Sequence, residues 1–279
     1  MTRATHQQVA LISGVARGQG RAHALRLAEA GASIIGFDAL QEYPTVPFGQ
    51  ATQDDLDETV ALVEQAGGQI HAARADARDR AAVTDVVEHG VKRLGNLTSV
   101  VVNAGIGIES FPFWEIPQDS WQDCIDVNLT GAWNTASAAV PSMLDGGRGG
   151  SIVLTSSAAA LKAAPNLGAY TAAKTGLIGL MRCMAADLAP HRIRANCVCP
   201  TSVPTEFLHN ERLFRIFRPD LDSPTVDDAR PVMAAMHPLG EPWIEVQDVT
   251  SAVAFLLSEE SRYITGVTLP IDLGLSIKF

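Results

Sequence analysis

Long apolar runs are missing from this chain: none approaches the roughly 20 consecutive residues that a membrane-crossing helix needs, although 47% of its 279 residues are hydrophobic. A compact protein without a membrane span is expected. Positive charge is also in short supply. With 21 Lys and Arg against 31 Asp and Glu the net charge is −10, and the basic residues form no dense stripe, so a nucleic-acid partner is not expected. Cysteine is scarce, and Cys124, Cys183, Cys197 and Cys199 make no C-x-x-C array. This argues against a metal or dithiol centre and for reduced thiols in a cytoplasmic protein, with Cys197 and Cys199 as packing residues. Met1–Gln8 carries no long apolar segment that would mark a secretory signal. Neither an internal repeat nor a Gly/Ser-rich or charged linker divides the chain, so residues 1–279 are read as one domain.

What is present is an alternation. Short β-type runs at Val9–Ser13, Ser33–Phe37, Ile70–Arg74, Ser99–Asn103, Ser151–Thr155, Ile193–Val198 and Val267–Ile271 are separated by helix-length segments. The latter include Arg21–Ala30, Leu56–Ala66, Ala81–Arg93, Trp121–Met143 and Tyr170–Leu188. Repeated βα units predict a doubly wound α/β domain, with a seven-stranded parallel sheet and helices on both faces. Two stretches break the rhythm: an insertion at residues 39–53, and a proline-rich segment at about 201–246 that reads as a substrate lid.

The first βα junction is Gly14-Val15-Ala16-Arg17-Gly18-Gln19-Gly20. Glycines there let the backbone turn sharply and approach a pyrophosphate at a helix N-terminus. Asp38 ends the second strand, where a carboxylate accepts hydrogen bonds from an adenosine ribose and repels a 2′-phosphate. NAD is therefore expected rather than NADP, with Arg17 as the counter-argument because a cation in this loop could hold a 2′-phosphate. Asp76 and Ala77 follow the third strand, and Asn103-Ala104-Gly105 closes the fourth. Both lie at strand C-terminal ends, the binding edge of an open α/β sheet, although a helix cap and a turn are the ordinary alternatives for Asp76 and Asn103.

Tyr170 and Lys174 stand four residues apart, on one face of a helix, with Ser157 thirteen residues before the tyrosine. An ammonium beside a phenol stabilises phenolate, which makes the pair a device for moving a proton. Together with a nucleotide site, that points to hydride transfer at a carbinol or carbonyl carbon.

With Asn128 in Val127-Asn128-Leu129-Thr130-Gly131 and the run Tyr170-Thr171-Ala172-Ala173-Lys174, the sequence resembles the short-chain dehydrogenase/reductase family over essentially its whole length. The resemblance implies a single-domain Rossmann fold and a homotetramer. It also implies Tyr170 as general acid/base, Lys174 lowering the phenol pKa and holding the nicotinamide ribose, Ser157 on the substrate oxygen, and Asn128 holding a water. Where the family has Pro-Gly after the sixth strand, this chain has Pro200-Thr201-Ser202-Val203-Pro204-Thr205. Pro200, Val203 and Thr205 are the candidates there for contacts with the nicotinamide half.

The insertion, the Ala16–Arg21 run and the ending from Leu269 to Lys278 are similar to the mycofactocin-associated, carveol-dehydrogenase-like members. That narrower resemblance implies tightly retained NAD regenerated by an external redox carrier. Ile106, Ile108, Phe111, Phe113, Trp114, Leu167, Phe207, Leu208, Phe214, Phe217, Met233, Met236 and Trp243 are candidates for an apolar pocket suited to a small cyclic or terpenoid secondary alcohol and its ketone. Two alternatives stand: a 3-oxoacyl-thioester or hydroxysteroid reductase using the same residues, and an NAD-binding redox sensor or scaffold without chemistry.

Overall fold

A strand covered on both faces must be apolar at every position, and the run Val9-Ala10-Leu11-Ile12 meets that demand. In the computed structural model, which describes residues 8–278 apart from the Arg212 side chain, Val9 and Leu11 join one core layer and Ala10 and Ile12 the other. Residues 1–7, read for a leader, and Phe279, at the end of the tail, lie outside the described residues.

Seven strands, β1 (Val9–Ser13), β2 (Ser33–Asp38), β3 (Ile70–Arg74), β4 (Ser99–Val102), β5 (Gly150–Thr155), β6 (Ile193–Pro200) and β7 (Thr268–Ile271), form one sheet. Their order is 3-2-1-4-5-6-7, and every pairing is parallel. Helices α1 (Gly18–Glu29), α2 (Gln53–Gln65) and α9 (Val246–Leu257) pack on one face. On the other lie α3 (Arg80–Leu94), α5 (Gly131–Gly146) and α6 (Gly168–Leu188). The winding reverses between β1 and β4, so the crevice beyond their C-terminal ends is where this topology binds ligands.

The expected helix over Trp121–Met143 is broken. Helix α4 (Gln118–Ile125) passes into a π-helical turn at Asp126–Thr130 before α5 begins. Such turns are rare and concentrate at functional sites, because the extra residue re-aims a side chain; here it leaves Asn128 fully buried. The segment read as a lid contains helices α7 (Glu211–Phe217) and α8 (Val226–Met236), the latter started by a Thr225–Asp228 capping box. Leu208, Phe214, Ala229 and Met233 give it a small apolar core of its own. The tail turns back onto its own chain: the Leu239 N–H donates to the Leu273 carbonyl. Among the described residues no helix is long and apolar enough to cross a membrane.

Candidate active site

The turn after β1 is shaped by crowding. Gly14 adopts φ +70°, its N–H donates 2.8 Å to the Phe37 carbonyl, and a Cβ on Gly20 would collide with the Gly14 carbonyl oxygen. Only glycine lets the first turn of α1 come this close to the strand it follows. Arg21 reinforces the loop from below, its guanidinium donating to the Ala16 carbonyl and to Thr59 of α2. The Asp38 carboxylate accepts from the Ala16 N–H at 3.1 Å, and burial pushes its pKa up against the opposing pull of that bond and of the Leu40 N–H. At the end of β4, the Asn103 amide group donates to the Ser13 carbonyl at 3.2 Å, which fixes this turn against the first.

Gly14, Arg17, Gly18, Gln19, Asp38, Ala77, Asn103, Ala104 and Gly105 line one end of a cleft of about 860 Å³. Two of the expected cofactor residues do not. Gly20 sits beneath Gly14, and the Asp76 carboxylate is turned into a network of its own. Asp76 accepts from Gln41 at 2.7 Å, from Tyr43 at 3.3 Å and from the Arg78 guanidinium at 2.8 Å. Burial works against its charge, but the bonds from Arg78 outweigh that and hold its pKa below the ordinary carboxylate range.

The same network ties the insertion to the body of the domain through Gln41, Tyr43 and Thr45. Arg78 also donates to Asp123, Asp123 accepts from Thr45, and the Arg78 guanidinium lies over the Tyr43 ring. Tyr43 and Val46 are buried against Ile106 and Val127. Arg17 completes the attachment by donating to the Gly49 carbonyl at 2.5 Å. The insertion is packed over the cofactor end of the cleft, and its Phe48 meets Phe207 of the lid edge-on at 5.4 Å.

The residues predicted to transfer the proton sit at the other end. Lys174, on the second turn of α6, is buried and donates to the Thr155 carbonyl at 2.9 Å. Its ammonium lies 5.7 Å from the centre of the Tyr170 ring. Burial lowers the Lys174 pKa to about 8 and raises that of Tyr170 to about 12, with the Ser157 hydroxyl pulling the phenol back down. Ser157 also accepts from the Ala159 N–H, which starts a short turn and fixes its hydroxyl. The neighbouring Ser156 hydroxyl donates 2.7 Å to the Lys174 carbonyl.

Asn128 is held three times: its amide group donates to the Ile106 and Cys124 carbonyls, and its oxygen accepts from the Ile106 N–H. Gly105 lies between it and the lysine, since a Cβ there would stand 2.6 Å from Asn128 Oδ1 and 3.2 Å from Lys174 Nζ. Thus Asn128, Ser157, Tyr170 and Lys174 all border the cleft, as do Pro200, Val203 and Thr205.

The Tyr170 end of the cleft is apolar, but not as the sequence alone suggested. Ile106, Leu167, Phe207, Leu208, Phe217 and Met236 line it. Phe214 and Met233 are consumed in the lid core, whereas Phe113 and Trp114 are 76% and 71% exposed on a surface turn. Sequence reading missed Tyr43, Phe48, Leu213, Ile216 and Leu275, which line the cleft from the insertion, the lid and the tail. Their spacing carries no signal, because each reaches the cleft by a different long-range contact.

Residues 14–276 match the family model described as Enoyl-(Acyl carrier protein) reductase. The chain is 47% identical over 271 residues to (-)-trans-carveol dehydrogenase of Rhodococcus erythropolis, covering 97% of this chain and 98% of that protein. Carveol dehydrogenase from Mycobacterium avium, solved in complex with NAD, superimposes with a TM-score of 0.97 at 49% identity, covering 98% of this chain and 99% of that one. A short chain dehydrogenase from Mycobacterium paratuberculosis, bound to NAD, gives a TM-score of 0.89 at 39% identity, with 97% and 98% covered.

Proposed function

The chain belongs to the short-chain dehydrogenase/reductase family, and from that premise we propose that it is an NAD-dependent dehydrogenase of a small hydrophobic, carveol-like secondary alcohol. The observation that carries this reading is the meeting, in one cleft, of a glycine turn and Asp38 at one end with Ser157, Tyr170 and Lys174 at the other. The fit to a dinucleotide rests on the Gly14–Gly20 approach, which leaves no room for a side chain, and on the Asp38 carboxylate at the end of β2. When bound, NAD supplies a hydride acceptor and a positive charge.

The chain's own residues supply the rest. Ser157 holds the alcohol oxygen, and Tyr170 takes its proton. A phenol with a pKa of about 12 holds its proton too tightly to act as a base near neutrality, so its acidity has to be raised by positive charge when the site is filled. Lys174 is suited to this role because a cation poorly solvated by protein gains most from a neighbouring phenolate. Asn128 and Lys174, with Gly105 leaving space between them, support a water-filled exit for the proton.

The packed insertion supports slow release of NAD; regeneration by an external redox carrier is what the narrower family resemblance implies. A homotetrameric assembly is what the family resemblance implies, and Trp121, 38% exposed on α4, offers apolar surface for a subunit contact. The cytoplasm is the compartment that four free cysteines favour. The deciding experiment is Tyr170→Phe: the variant is expected to bind NAD as the parent does and to lose turnover of carveol-like alcohols by roughly a thousandfold. Full activity in that variant refutes the assignment. A panel adding steroids and 3-oxoacyl thioesters separates the substrate classes.

A further inference from the structure

Beside the substrate half of the cleft lies a second cavity of about 90 Å³. Phe48, Leu167, Tyr170, Phe207 and Ile216 border both spaces, while Ile108 and Ser110 line only the smaller one. Phe207 is the natural partition. Its ring stands 5.4 Å from that of Phe48 and 6.0 Å from that of Tyr170, and its tip rests over Gly107, where a Cβ would come within 2.8 Å of Cζ. The Ser110 hydroxyl is buried and has no hydrogen-bond partner among the described residues, an uncommon condition for a polar atom.

We propose that Phe207 sets the size limit for the alcohol, and that the small cavity behind it is a closed-off subsite for the far end of a longer substrate. A cavity of about 150 Å³ takes up benzene, so this one suits an apolar group of about three or four carbons. The ring that closes the subsite also leans on the proton-transferring tyrosine. Substrate length and the position of Tyr170 are therefore coupled through one side chain. The inference rests on the secondary-alcohol reading above and names the residue that selects among such alcohols.

The test compares cyclohexanol with 4-isopropylcyclohexanol, whose three-carbon arm matches the cavity. Binding of each to the NAD-loaded protein is measured by calorimetry, and turnover in parallel. Phe207→Ala is expected to shift the ratio of affinities toward the isopropyl compound by about tenfold or more, the discrimination an apolar pocket gives for added methylenes. Phe207→Leu should fall between the parent and the alanine variant. Adding Ser110→Leu to Phe207→Ala narrows the small cavity from a wall that the main cleft does not share and should return the ratio to that of the parent.

An unchanged ratio in Phe207→Ala overturns the proposal, as does a gain that survives Ser110→Leu, or a failure of both alcohols to bind any of the proteins. If both bind but neither is oxidised by the parent, the activity reading fails while the binding ratio still decides the role of Phe207.

Discussion

Replacing Lys174 with Met should alter the pH dependence of stability in a way that isolates the cost of burying this cation. The lysine pKa falls from 10.5 in the open chain to about 8 in the fold because burial strips the ammonium of water. A cation whose pKa is lowered by folding penalises the native state. The penalty is fully present below about pH 8 and disappears as pH rises through 10.5, because over that window the unfolded chain binds the extra proton. At about 1.36 kcal/mol per unit, the cost near pH 7 is about 3 kcal/mol, of which about 2 kcal/mol is recovered by pH 10.

Methionine has nearly the same length and no charge. It loses the bond to the Thr155 carbonyl, which costs on the order of 1–3 kcal/mol but does not vary with pH. The difference between pH values therefore cancels it. Urea unfolding of the cofactor-free proteins at pH 7 and pH 10 is the assay. The stability of Lys174→Met relative to the parent should drop by about 2 kcal/mol from the lower to the higher pH. An equal difference at both pH values would show that Lys174 is well solvated, and the account of how it acts on Tyr170 would fall with it.

Three further outcomes are expected. Asp38→Ser should weaken NAD binding by about tenfold and narrow the preference over NADP, read by nucleotide titration, because the ribose loses its acceptor. Combining Arg17→Met with Phe48→Ala removes the bond to Gly49 and the aromatic contact with the lid, and should speed NAD release by roughly tenfold in a stopped-flow chase. Asn128→Ala strips partners from the Ile106 N–H and from two carbonyls in the interior; a loss of about 3 kcal/mol in urea unfolding is expected, with reduced turnover.

Much of the fold was open to reading because its determinants are local. A strand covered on both faces is apolar at every position, and the βα alternation then leaves few topologies. All seven expected strands occur, with ends shifted by up to two residues: β6 runs on to Pro200 and β4 stops at Val102. The candidate site residues were legible for a related reason. Tyr170 and Lys174 lie on one helix, and glycines at 14, 18 and 20 follow one strand, so spacing alone brings them together.

Asp76 failed that logic. Its strand end is at the binding edge, but Arg78, Gln41 and Tyr43 compete for its carboxylate. Nor does helical periodicity in Trp121–Met143 announce the π-turn, because a single extra residue leaves the apolar spacing almost intact.

By itself, then, the sequence determined the α/β winding, the glycine turn after β1 and the pairing of phenol with ammonium, all of which rest on neighbours a few residues apart. Only the tertiary structure decided how the insertion closes on the cleft, which apolar side chains face the substrate rather than the lid core, and that Phe207 stands between two cavities. Those features depend on contacts such as Arg17 with Gly49, Phe48 with Phe207 and Phe207 with Tyr170. Each joins segments whose separation along the chain carries no periodic signal, so their meeting is set by packing of the whole domain.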